Sequence, residues 1–111
     1  MGMLMTSSVE VPSELVQAAS LSFKSRISGF LWRAFPHGTC LVGEILGDLS
    51  ERFLEGGLIQ TSAIMQLTRE HGYLLAHTFT GSCYVLIQPA GNVKQNFGHI
   101  YTHEVPQGSE D

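Results

Sequence analysis

The C-terminal half carries the strongest constraint on the fold. Two runs rich in aromatic and β-favouring residues, 73–80 and 83–88, stand on either side of Gly81-Ser82. Such runs parted by a short glycine-containing pair read as a hairpin with a two-residue turn, and a lone hairpin needs further structure to pack against. Pro89-Ala90-Gly91-Asn92 supplies the next turn, and residues 97–105 read as a third antiparallel strand.

The preceding residues recur at helical spacing. Pro12 and Ser13 suit the opening of a first helix, along which Leu15, Ala18, Ala19, Phe23, Ile27, Phe30 and Leu31 follow one face. Pro36 stops it by disfavouring helical geometry at Phe35, and Gly38 with Thr39 makes a turn and a cap for a second helix over 40–54. There Leu41, Val42, Ile45, Leu46, Leu49 and Phe53 form an apolar stripe, with Glu44, Asp48, Glu51 and Arg52 on the wetter side and Gly56-Gly57 as terminator. A shorter third helix starts at Thr61 or Ser62, turns Ile64, Leu67 and Met65 inward, and ends at Gly72 after His71. Helices followed by strands define an α+β fold: N-terminal helices packed on a three-stranded antiparallel β-meander. With 111 residues, 43% of them apolar, the chain can fill one core, so residues 1–111 form a single domain with an ordered core over about 12–105.

Charge and cysteine content narrow the function classes. Six Lys and Arg against ten Asp and Glu leave a formal charge of -4, the wrong sign for tracking phosphates, so nucleic acid is disfavoured as a partner. Cys40 and Cys83 have no near neighbour of their kind, which excludes a disulfide framework or zinc ribbon and fits reduced thiols in the cytoplasm. The start lacks a secretory signal, and no stretch reaches the ~20 apolar residues of a membrane span. Gly2 and Thr6 match the N-myristoylation pattern formally, but a frayed start is the reading adopted. His37, Cys40, His77, His99 and His103 lack metal-ligand spacing, so neither a metal nor another cofactor is expected.

Cys40 stands out because the second helix begins with it. Amides and partial positive charge at a helix start stabilise a thiolate and also hold the oxyanion formed when a carbonyl is attacked. The run Arg33-Ala34-Phe35-Pro36-His37-Gly38-Thr39-Cys40, leading into Ile45, Leu46 and Leu49, resembles the nucleophile segment of bacterial papain-like or transglutaminase-like cysteine hydrolases. That resemblance covers residues 30–50 and implies a histidine base on a later strand. Gly98-His99-Ile100-Tyr101 matches the expected form, which gives His99 that role and His77 the second claim; a well-placed orienting Asp or Asn is missing, since the acids that follow are Glu104 and, at the chain's end, Glu110 and Asp111. The implied function is a minimal papain-like thiol hydrolase domain, active or degenerate, in which Cys40 attacks peptide or amide bonds and His99 takes the proton.

Two other functions fit. One is a non-catalytic interaction protein such as an inhibitor, immunity factor or subunit, with Phe30, Trp32, Arg33 and Phe35 engaging a protein partner. The other is a winged helix-turn-helix using 62–71 as recognition helix and the 73–88 hairpin as wing, although Arg69 is the sole permanent cation in that unit.

Overall fold

A six-stranded mixed sheet dominates the molecule. The computed structural model describes residues 13–47 and 56–102. Its strands are β1 (Gly29–His37), β2 (Cys40–Leu46), β3 (Leu58–Gln60), β4 (Ile64–Glu70), β5 (Tyr73–Thr78) and β6 (Cys83–Ile87), in the spatial order β3-β2-β1-β6-β5-β4. β1 and β6 are parallel neighbours, and the other ladders are antiparallel. Two short helices, α1 (Ser13–Ala19) and α2 (Val93–Asn96), flank the strands.

This architecture overturns the α+β expectation of helices packed on a three-stranded meander. Of the first helix, 13–19 is helical, but Gly29–His37 is a strand. The described part of the second is β2, and the third is β4. With Ile64–Glu70 extended, the recognition helix of the winged-helix alternative is also absent. The hairpin survives with strands Tyr73–Thr78 and Cys83–Ile87, but its turn is longer than two residues: Thr78 N–H donates to Ser82 O, and Gly81 takes a positive φ of 93°. The described part of the proposed third strand starts at Phe97, which caps the end of α2, and continues as a 3₁₀ turn over Gly98–Ile100 and a bridge from Tyr101 to Leu67. Residues 1–12, 48–55 and 103–111 lie outside the described residues, and with them Leu49, Phe53, His103, Glu104 and Asp111.

Turn chemistry explains the hairpins read as helix boundaries. His37 and Cys40 face each other across Gly38-Thr39, with Gly38 at a φ of 63° that a side-chain-bearing residue would resist. His71 and Gly72 both have positive φ, 54° and 84°, which is the backbone of a type I′ turn joining β4 to β5.

Two β-bulges bend the sheet. The β1 register advances from Trp32 opposite Glu44 to Phe35 opposite Val42, leaving an extra residue in β1 near Arg33, whose φ is 57°. In β4 the step from Ile64 opposite Thr78 to Gln66 opposite His77 leaves Met65 extra. Gly43 lies against the β1 bulge so closely that an added Cβ would stand 2.9 Å from Leu31 Cγ and 3.0 Å from the Ala34 backbone.

Curvature brings the sheet edges together at the three-residue link 61–63. Six strands laid flat would separate the outer two by about 24 Å, beyond the reach of so short a connection. Instead Thr61 exchanges bonds with Leu41, donating from N–H to Leu41 O and accepting the Leu41 N–H at Oγ1; Ile64 N–H reaches Thr39 O at 2.8 Å. The concave side encloses Leu31, Leu41, Ile45, Leu67, Leu86 and Phe97, whereas the outer side carries a second core of Phe30, Leu75, Cys83, Val85 and Ile87 under Leu15 and Ala18 of α1. Central β6 is buried on both faces.

Candidate functional site

Cys40 lies at the first position of β2, directly across the hairpin from His37. Its thiol is partly exposed and has the Thr39 hydroxyl 3.9 Å away. The helix start invoked for it is therefore corrected to a strand start: backbone amides here enter the β1–β2 ladder and do not converge on the sulfur. His99 is exposed in the 3₁₀ turn beyond α2, and no hydrogen bond joins it to Cys40. His77, the second candidate base, points to another partner: its Nε2 is 2.8 Å from Thr68 Oγ1. Cys83 is buried in the outer core, where burial and then the charge of Glu70 push its thiol up from 9.0 to about 12, so it is held as the thiol.

The outer face of β3, β2 and β1 combines the side chains most suited to recognition. Directly paired residues of antiparallel strands share a face, so Leu58, Glu44 and Trp32 form one cross-sheet row and Gln60, Val42 and Phe35 form the next. Leu58 is 70% exposed and Phe35 45%, while Val42, Glu44 and Trp32 are half-buried. Arg33, forced out by the bulge, stacks its guanidinium 4.5 Å from the centre of the Trp32 ring. The pair is worth about 0.5–1 kcal/mol at an exposed site, enough to preset the arginine without burying it. Trp32 Nε1 is buried and has no hydrogen-bond partner among the described residues.

A cleft of about 370 Å³ lies at the same sheet's other end, lined by residues that include Lys24, Gln66, Thr68, Arg69, Glu70 and His77. Here Glu70 accepts Lys24 N–H at 2.7 Å, Ser25 N–H at 3.3 Å and Ser25 Oγ–H at 2.9 Å. Burial opposes its ionisation, but these bonds and the nearby His71 outweigh it and hold the carboxyl below its usual range. His71 adds a 2.6 Å contact from Nε2 to Ser22 O and an edge contact with Phe23, fastening the segment after α1 to the β4–β5 turn. Burial lowers the His77 pKa despite the opposing pull of Glu70.

Sequence reasoning singled out Trp32, Arg33 and Phe35 but placed them at a helix junction; their face emerges only from strand register. It missed the cleft, because Thr68 and His77 come together across β4 and β5 rather than along a motif. Among the described residues, His, Cys, Asp and Glu form no group of three that could hold a metal, and no helix is long and apolar enough to cross a membrane. Comparison with protein-family models, curated proteins and solved structures gives no match.

Proposed function

We propose that this chain is a small non-catalytic interaction domain that binds another protein through the outer face of β3, β2 and β1. The observation that carries this reading is the exposure of Leu58 and Phe35 in two adjoining cross-strand rows beside the stacked Trp32–Arg33 pair. Apolar side chains interrupted by Glu44 and flanked by Arg33 and Gln60 make a mixed surface, with both charge signs available to pair with a partner. An open face on the convex side of a curved sheet suits a folded protein better than a small molecule, which requires a concave site.

The thiol-hydrolase alternative has less support. Cys40 opens a strand, so the helix amides that would favour its thiolate and bind the oxyanion have no counterpart there.

Photo-crosslinking tests the proposal. A photoreactive residue at Leu58 should give a discrete protein adduct in cells of the source organism, whereas one at Val16, 59% exposed on α1, should not. Equal adduct patterns at both positions, or none at Leu58, would contradict it. Iodoacetamide alkylation of Cys40 separates the enzyme reading: the interaction domain predicts the same rate in the wild type, His37→Ala and His99→Ala across pH 6–9, a range that spans the usual imidazole and thiol values.

A further inference from the structure

The outer edge of β3 carries backbone groups that nothing among the described residues meets. Thr61 N–H donates to Leu41 O and Ile45 N–H donates to Gly57 O, bonds that stand four residues apart along each strand. Antiparallel ladders alternate bonded and unbonded pairs, so between these two bonds it is Ile59, opposite Gly43, that bonds β2. Leu58 and Gln60, opposite Glu44 and Val42, direct their N–H and C=O groups away from the sheet. Both residues are exposed.

The chain caps the adjoining edges with its own backbone and leaves this one bare. Along β4, Thr102 N–H donates to Leu67 O at 2.7 Å beside the Tyr101 bridge. At the link before β4, the turn after β5 closes on the strand: Phe79 N–H donates to Ala63 O at 2.8 Å and Thr80 N–H to Ser62 Oγ at 3.2 Å. Cover of this kind stops at Ser62. Proline and charge, two usual guards of an open edge, are both absent from Leu58–Gln60, and its three-residue length is what limits chance pairing. Leu58 is 70% exposed at one end of the bare stretch, and Phe79 of the turn is 72% exposed beyond the other.

We propose that an extended segment of a protein partner adds to β3 as a further strand of the sheet, taking up the N–H and C=O groups of Leu58 and Gln60. This inference rests on the reading of the outer face as a protein-binding surface and says how the partner engages it. Side chains of an added strand alternate, so the residues opposite Leu58 and Gln60 share the outer face, the first apolar against Leu58 and the second polar beside Gln60. A second copy of this chain fits less well. Two β3 edges would exchange only the bonds of Leu58 and Gln60, and a three-residue pairing buries far less than the roughly 1,200 Å² of a stable specific interface. A larger partner reaches that area by continuing from the added strand across the Leu58–Trp32 and Gln60–Phe35 rows.

Removing one outward N–H while sparing the β2 ladder tests the proposal. Gln60→Pro deletes an outward donor and no bond to β2, whereas Gln60→Ala trims the side chain and keeps the donor. In cells, the protein adduct of a photoreactive residue at Leu58 should be at least roughly tenfold weaker in Gln60→Pro than in Gln60→Ala. Should Gln60→Pro fail to fold, Leu58→Pro against Leu58→Ala, with the photoreactive residue moved to Phe35, should show the same difference. Amide hydrogen exchange of the purified protein should be fast at Leu58 and Gln60 and slow at Ile59. Slow exchange at Leu58 and Gln60 in a monomer would mean that the chain covers its own edge, and in a dimer that a second copy does; either result overturns the proposal. Equal adducts in Gln60→Pro and Gln60→Ala would overturn the added strand while leaving the face reading in place. Absence of the adduct from the parent would refute that reading itself, and the added strand with it.

Discussion

Over β1, β6 and β5 the outer sheet face lies beneath α1, and Leu75, Val85 and Ile87 are sealed from water; over β3 and β2 the same face leaves Leu58 and, at the β1 margin, Phe35 largely open. Both halves are built from strands with apolar residues on that side, so propensity does not separate them. Cover does. Leu15 and Ala18 of α1, with Phe23 and Ile27 packed alongside, close one half, and the Glu70 and His71 bonds to residues 22–25 hold the segment after α1 in place. An apolar side chain therefore serves stability in the covered half and remains available for recognition in the open one.

Cysteine chemistry should show the contrast most strongly. At pH 8, Cys83 with a pKa of about 12 carries roughly a thousandfold less thiolate than a thiol at 9.0, so mass spectrometry of iodoacetamide-treated folded protein should find Cys40 alkylated and Cys83 spared. Comparable labelling of both would mean that α1 does not seal its half. Truncation comes next: Leu75→Ala in the covered half should cost about 2–5 kcal/mol in urea denaturation, through lost burial and the cavity left behind. Gly43→Ala should cost about 1–3 kcal/mol, because its new methyl collides with Leu31 and the Ala34 backbone where the β1 bulge bends the sheet beneath the open face. In that open half, Phe35→Ser and Leu58→Ser should each change stability by no more than about 0.5 kcal/mol.

Acid should loosen the covered half by a defined order of titrations. His77 has a lowered pKa, so the unfolded chain takes its proton first and stability falls as pH drops below 6.5 toward the folded value. Glu70 also has a lowered pKa; its contribution is present above 4.5 and is lost as pH falls through the folded value. Thermal melts of the wild type should show both declines, and Glu70→Gln should remove the lower one.

Much of this fold was hidden in the sequence by the bulges that shape it. In β1 the inward residues are Leu31 and Ala34, and in β4 they are Ile64 and Leu67; each extra residue turns a period of two into the three-residue spacing of a helix. β2 misleads differently. Leu41 and Ile45 face the inner core while Val42 and Leu46 face outward, and apolar residues on both faces reproduce the i, i+1, i+4, i+5 pattern of a helical stripe. The β5–β6 hairpin was legible because β6, buried on both sides, reads as a continuous apolar run that begins just after the Gly81 turn. Trp32, Arg33 and Phe35 drew attention by residue type, but joining them with Leu58 on one face required a register that pairs residues far apart in the chain.

The open face is tested most directly by the yield of the Leu58 photo-crosslinked adduct in a Phe35→Ser background. Phe35 and Leu58 lie in adjacent rows of one surface, so the adduct should fall at least about tenfold while the melting temperature stays close to that of the parent. An undiminished adduct would contradict the assignment of this face to a protein partner.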